Sequence, residues 1–375
     1  MFIKKDTRKI PEILKDATSR AVAEPSSPNP ADDDKNNDKN TIVTEMRFAR
    51  RAPEFNPQYN VSMVIEPQYR PALNNLVQLS LYDCGLQTLA GIEQSNDRVE
   101  VLFPKLESLD LGRNPKLNNE SFPDTFHTQF PSLVQLWLDD CALGPNIPSA
   151  ILEISALEGV RITNNKLKGK LEDGIGIRYW RELKTLALDG NQLTSIGRGI
   201  GHLKYLEKLQ IRGNALTSLP EGVPSAKNSV LTMISLSSNK LTSLPDSLMG
   251  VVTLKELFLN GNQLESLPEG LAEKLDGLAK LNLAHNLIGK NNVSAGSQSS
   301  VGDGDETMED VNADGQLPPD FITRFGMPDW KNGQCSEEEC CVVRMEGNPM
   351  AEEIKKRHLD EEKRKAKEMA MDVEE

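Results

Sequence analysis

Cys335, Cys340 and Cys341, with His358 downstream, are the residues of this sequence whose types could hold a metal ion. Their CxxxxCC spacing lacks the paired CxxC that closes a tetrahedral zinc site, so no metal is expected. His127, His202 and His285 fall in no ligand or nucleophile motif. A phosphate-cradling loop is not expected either, because Gly302-Asp303-Gly304-Asp305 is acidic and no lysine follows it. Ser300 and Ser336 each have an acid three residues on, the pattern of acidic-directed phosphorylation. No catalytic residue and no cofactor is expected, and recognition is the chemistry that remains.

For recognition, the residue types that dominate interface energies are large aromatics and arginine. Tyr82, Trp137 and Phe258 could enter a partner's apolar surface. Asp139, Asp140 and Asp189 could face basic groups, Arg161 and Arg212 acidic ones, and Asp110 and His285 complete the candidate set. What makes a site of them is a scaffold that presents them on one face.

A repeat supplies that scaffold. Leu183-Lys184-Thr185-Leu186-Ala187-Leu188-Asp189-Gly190-Asn191-Gln192-Leu193 has the form LxxLxLxxNxL. The same frame starts at Leu76, Leu106, Leu133, Leu157, Leu206, Leu231, Leu254 and Leu278, at intervals of 23 to 30 residues. Such a unit buries its leucines only by stacking on its neighbours, so the period is the core. The ninth frame position reads Cys84, Asn114, Cys141, Asn165, Asn191, Asn214, Asn239, Asn262, Asn286 and, in a weaker last unit, Asn348. Positions three, five, seven and eight alternate away from the leucines and place every candidate residue on the strand face.

This pattern resembles the leucine-rich repeat family over residues 76–289. The endings Leu216-Thr217-Ser218-Leu219-Pro220, Leu241-Thr242-Ser243-Leu244-Pro245 and Leu264-Glu265-Ser266-Leu267-Pro268 are similar to the intracellular class that includes Ras-binding scaffolds. Leu143-Gly144-Pro145-Asn146-Ile147-Pro148 is similar to plant-type repeats. The resemblance implies an α/β solenoid, with a curved parallel sheet on the concave side and short helical or irregular returns on the convex side. It also implies that the ladder asparagines bond the backbone of adjacent turns, and that the concave face binds another protein. A small GTPase or one of its regulators belongs to the implied partners. Two other readings stay open: a regulatory subunit of a GTPase, phosphatase or ubiquitin ligase, and an acidic nuclear repeat protein that binds basic chromatin proteins.

Charge separates the middle of the chain from its flanks. The net charge is -13, yet residues 290–375 alone hold 21 acidic against 11 basic side chains. An acidic chain is a poor binder of phosphate backbones, and no apolar run is long enough to span a bilayer. With five cysteines and no secretory signal at the start, a cytoplasmic protein is expected, with the nucleus open through the basic clusters 355–357 and 363–365. The composition divides the chain into a disordered tail with a short helix near Pro11 (1–54), an N-terminal cap (55–75) and nine repeats (76–289). A disordered acidic insertion (290–317), a terminal repeat (318–349) and a charged helix (350–375) follow. A monomer is expected.

Overall fold

The computed structural model describes residues 8–22, 42–51, 64–90, 101–171, 177–224, 226–228, 230–288 and 342–349, with a few single positions besides. The chain forms two compact units, Met1–Gln192 and Leu193–Glu375. The expected insertion at 290–317, most of 21–40 and 350–375, and Cys335, Cys340, Cys341 and His358 lie outside the described residues.

The first unit holds α1 (Ile10–Val22) and strands β1 (Glu45–Arg47), β2 (Gln78–Ser80), β3 (Ser108–Asp110), β4 (Gln135–Trp137), β5 (Gly159–Arg161), β6 (Lys168–Leu171) and β7 (Thr185–Ala187). β1 to β5 and then β7 pair in parallel, each frame position opposite its equivalent, as with Leu79, Leu109 and Leu136. The regularity continues past the strands. The amide of position six donates to the next unit's position-five carbonyl, as from Leu81 to Asp110 at 2.7 Å, and that of position eight to position seven, as from Asp83 to Gly112 at 2.9 Å. Position eight then turns sharply with positive φ, 55° at Asp83, 56° at Arg113 and 54° at Asp140.

Leucines, with Val160 and Ile162 in one repeat, fill the interior of this unit at positions one, four and six from Leu76 onward, all buried. The two longest repeats leave more space in their returns, and rings fill it. Phe103 stacks on Phe130 at 5.2 Å between centroids, and Phe126 lies 4.8 Å from Phe130 and 5.2 Å, edge-on, from Phe122.

The ladder position does what the resemblance implied. Asn114 is fully buried; its Oδ1 accepts from the amides of Cys84 and Leu86, and its Nδ2 donates to the carbonyls of Leu81 and Leu111. Asn165 and Asn191 repeat the pattern. Each side chain thereby satisfies buried backbone groups of a turn too irregular to pair them itself.

The structure departs from the expected tail at 1–54. Residues 43–51 form a further unit in the same frame, with Val43, Met46, Phe48 and Arg51 at positions one, four, six and nine. Met46 and Phe48 are buried, and Phe48 N donates to Ser80 O at 2.8 Å just as the later units do. Arg51 stands where an asparagine would, 7% exposed, and donates to the Arg8 carbonyl at the start of α1. Covering the open end of the repeats takes an apolar surface, which α1 provides through Ile10, Leu14 and Ala17 packed against the short helix Arg70–Leu73. On its outer side Asp16 lies 2.9 Å from both Arg8 and Arg20, and the bond from Arg8 first of all holds its carboxyl below the usual range. Val64, Tyr69, Ala72 and Leu73, within the expected cap, are buried as well.

The second unit holds β9 (Lys208–Gln210), β10 (Met233–Ser235), β11 (Glu256–Phe258), β12 (Lys280–Asn282) and β13 (Val342–Arg344), and β8 (Gln192–Ile196) spans the division between the units. β9 to β13 pair in parallel and in register. The prolines that close the LTSLP-type endings start the returns: Pro220, Pro245 and Pro268 accept from the amides of Val223, Leu248 and Leu271. The ladder runs through Asn239, Asn262 and Asn286 to Asn348, whose Nδ2 donates to Leu283 O at 2.9 Å and whose Oδ1 accepts from Ile288 N at 3.2 Å. Hence β13 and Asn348 form a genuine unit, although 53 residues separate Ile288 from Val342.

Candidate functional site

The sheet of the first unit presents Tyr82, Asp110, Trp137, Asp139, Asp140, Arg161 and Asp189 on one face, as alternation from the buried leucines requires. Trp137 and Arg161 are direct cross-strand neighbours in β4 and β5. The guanidinium lies over the indole at 5.9 Å from the ring centroid, and its Nη2 is 2.7 Å from Asp139 Oδ2. Thr163 Oγ1 donates to the other Asp139 oxygen at 2.6 Å. One arginine therefore braces an aromatic plate on one side and an aspartate on the other. Arg161, expected to be open to an acidic partner, already meets an acid within its own sheet.

A second cluster adjoins it, centred on Asp110, the cross-strand neighbour of Trp137 on its other side. Ser80 Oγ and the Gly112 amide both donate to Asp110. Tyr82 beside Arg113, with Asp83 next, raises the guanidinium pKa above its ordinary value. Asp140 is exposed and accepts from Asn164 Nδ2 at 2.9 Å. Arg113 and Asn164 enter the face from position eight, where positive φ swings the side chain outward, and neither stands out in the sequence.

Arg212, Phe258 and His285 lie on the strand face of the second unit, Arg212 and His285 exposed and Phe258 half-buried. His285 packs against Gly347, where a Cβ would collide with the imidazole, so the terminal unit approaches this ring too closely for any side chain. Among the described residues no group of three histidine, cysteine or acidic side chains could hold a metal, and no helix is long and apolar enough to cross a membrane.

Cys84 and Cys141 occupy the ladder position and are free and buried. Each thiol replaces half of an asparagine, donating to the preceding unit's carbonyl: Cys84 to Phe48 O at 2.8 Å and Cys141 to Leu111 O at 3.5 Å. Burial pushes Cys84 up to about 11 and Cys141 up to about 12. Because the thiolate is the nucleophile, raised values remove it at neutral pH. Native protein at pH 8 is expected to leave both thiols unreactive toward a disulfide reagent, and urea to release them. Peptide mapping checks this, and fast native labelling at either site would contradict it.

Residues 204–264 match the family model for the leucine rich repeat. A comparison with curated protein sequences finds no match. Among solved structures, a leucine-rich repeat protein of Leptospira interrogans superposes with a TM-score of 0.60 at 20% identity, over 92% of this chain and 77% of that one. An internalin of Listeria monocytogenes gives 0.46 at 19%, over 60% of this chain and 58% of the internalin. A plant peptide hormone receptor in complex with its peptide gives 0.48 at 21%, over 59% of this chain and 34% of the receptor. The recurring frame, the buried asparagine ladder and the matched family model agree that the repeats of this chain are leucine-rich repeats.

Proposed function

We propose that the chain is a non-enzymatic scaffold that binds another protein on the strand face of its first unit. The observation that carries this reading is the cluster of Trp137, Arg161 and Asp139. A half-buried indole with a guanidinium over its ring loses little freedom on binding, so its remaining contact area is available at low entropic cost. Along this face Glu45, Asp83, Asp110, Asp139, Asp140 and Asp189 outnumber Arg47, Arg50, Arg113 and Arg161 by six to four, and Asp83 already pairs with Arg50. The partner segment that fits carries basic side chains around an apolar anchor.

The same reading takes the role to be cytoplasmic signalling as a monomer, with a small GTPase or its regulator as one partner class. The free thiols of Cys84 and Cys141 support a reducing compartment. Replacing Trp137 and Arg161 together by alanine is expected to weaken partner binding by about 2 kcal/mol or more, roughly thirtyfold. Affinity purification with wild type and the double variant, each with unchanged circular dichroism, measures this. Equal recovery of every partner would remove the strand face as the site.

A further inference from the structure

Each repeat of the second unit enters its strand through a short turn, and in three consecutive repeats that turn exposes an apolar side chain. Tyr205 is 51% exposed, Val230 39% and Val252 60%. Register puts Tyr205 and Val230 side by side, each directly before its frame, and Val252 one residue earlier in the next repeat, where Thr253 holds the equivalent place. Met233 in β10 pairs with Lys208 and Glu256 on its two neighbours, Thr232 N donates to Glu207 O, and Thr253 Oγ1 donates to Leu231 O at 2.9 Å. Strands about 4.8 Å apart bring the three side chains into one oblique stripe on the entry side of these repeats. Single exposed apolar residues are ordinary, whereas an exposed apolar side chain in the entry turn of three successive repeats points to a contact surface.

The stripe is flanked by exposed Lys204, Lys227 and Lys255. Across 202–208, 226–233 and 250–256 the charged groups are these three and Lys208, against Glu207 and Glu256, and Glu256 is bridged to Lys280 at 2.7 Å. The edge is thus locally cationic in a chain of net charge -13.

We propose that this edge is a second docking surface, independent of the strand face of the first unit, for a partner segment that alternates carboxylates with apolar side chains. The apolar groups cover the stripe, and the carboxylates reach the lysines on either side. A basic segment would meet like charge, and a bare polyanion would leave the stripe uncovered.

Fluorescence anisotropy with the full chain tests this, using a labelled synthetic peptide of alternating leucine and glutamate and its leucine–lysine counterpart. The glutamate peptide is expected to bind and the lysine peptide not. Tyr205→Ser with Val252→Ser should weaken binding about tenfold, given the apolar area withdrawn. Lys204→Glu with Lys255→Glu should weaken it similarly and reduce its dependence on salt. Trp137→Ala should leave it unchanged, which separates this surface from the strand face. The four positions changed in the two double variants are exposed, and circular dichroism checks that every variant folds. Equal affinity for both peptides, or unchanged affinity in both double variants, would overturn the proposal. So would self-association, or binding to phosphatidylserine vesicles, that disappears in the Tyr205 and Val252 variant, since the edge would then belong to a second copy or to a lipid surface.

Discussion

Asn114→Ala is expected to destabilise the first unit by about 3 to 5 kcal/mol, because several buried backbone groups lose their partner at once, at roughly 1 to 3 kcal/mol each before relaxation. The side chain has no exposed surface and makes four bonds within 3.1 Å, accepting from Cys84 N and Leu86 N and donating to Leu81 O and Leu111 O. No neighbour stands ready to replace them. Cys84 and Cys141 flank Asn114 in the ladder and can donate but offer little acceptance, so this asparagine is the one full amide among the first three repeats of the frame. The effect should therefore be local before it is global. Hydrogen exchange should show the Cys84 and Leu86 amides opening, while a urea titration followed by circular dichroism gives the total. Retained protection at both amides would refute the ladder as the element that holds these turns.

How much of this could be read from the sequence depends on how strongly burial dictates residue type. Positions one, four, six and nine accept almost nothing but leucine-like side chains and asparagine, so nine units and the terminal Asn348 are legible one by one. The unit at 43–51 is not legible, because Met46 and Phe48 replace leucines and Arg51 replaces the asparagine. The guanidinium of Arg51 instead donates to the Arg8 carbonyl, just before α1, a contact across 43 residues that no local pattern contains. On the strand face, alternation places Trp137, Arg161 and Asp139 correctly. Their mutual engagement is not visible, since it depends on which position of one repeat lies beside which of the next. The Tyr205, Val230 and Val252 stripe escapes for another reason: these residues precede the frame, where loop composition is weakly constrained and an apolar residue carries no periodic signal.

Phe126→Ala is the other large effect, at about 3 to 5 kcal/mol, the usual range for emptying a buried phenylalanine site. The ring is fully buried, touches Phe122 by its edge and Phe130 across 4.8 Å, and borders a small apolar hollow also lined by Leu81, Leu89, Leu109 and Phe103. Collapse would reduce the cost, but Leu79 and Leu109, which also line the hollow, are fixed opposite each other in β2 and β3. The space should stay open and, having no polar lining, dry. Phe126→Leu refills most of it and should cost less than half as much. Thermal melts of both variants with and without benzene separate the two causes of loss. A rise in Tm for Phe126→Ala alone shows a preserved cavity, whereas equal losses for alanine and leucine would mean that ring stacking, and not volume, holds these long returns.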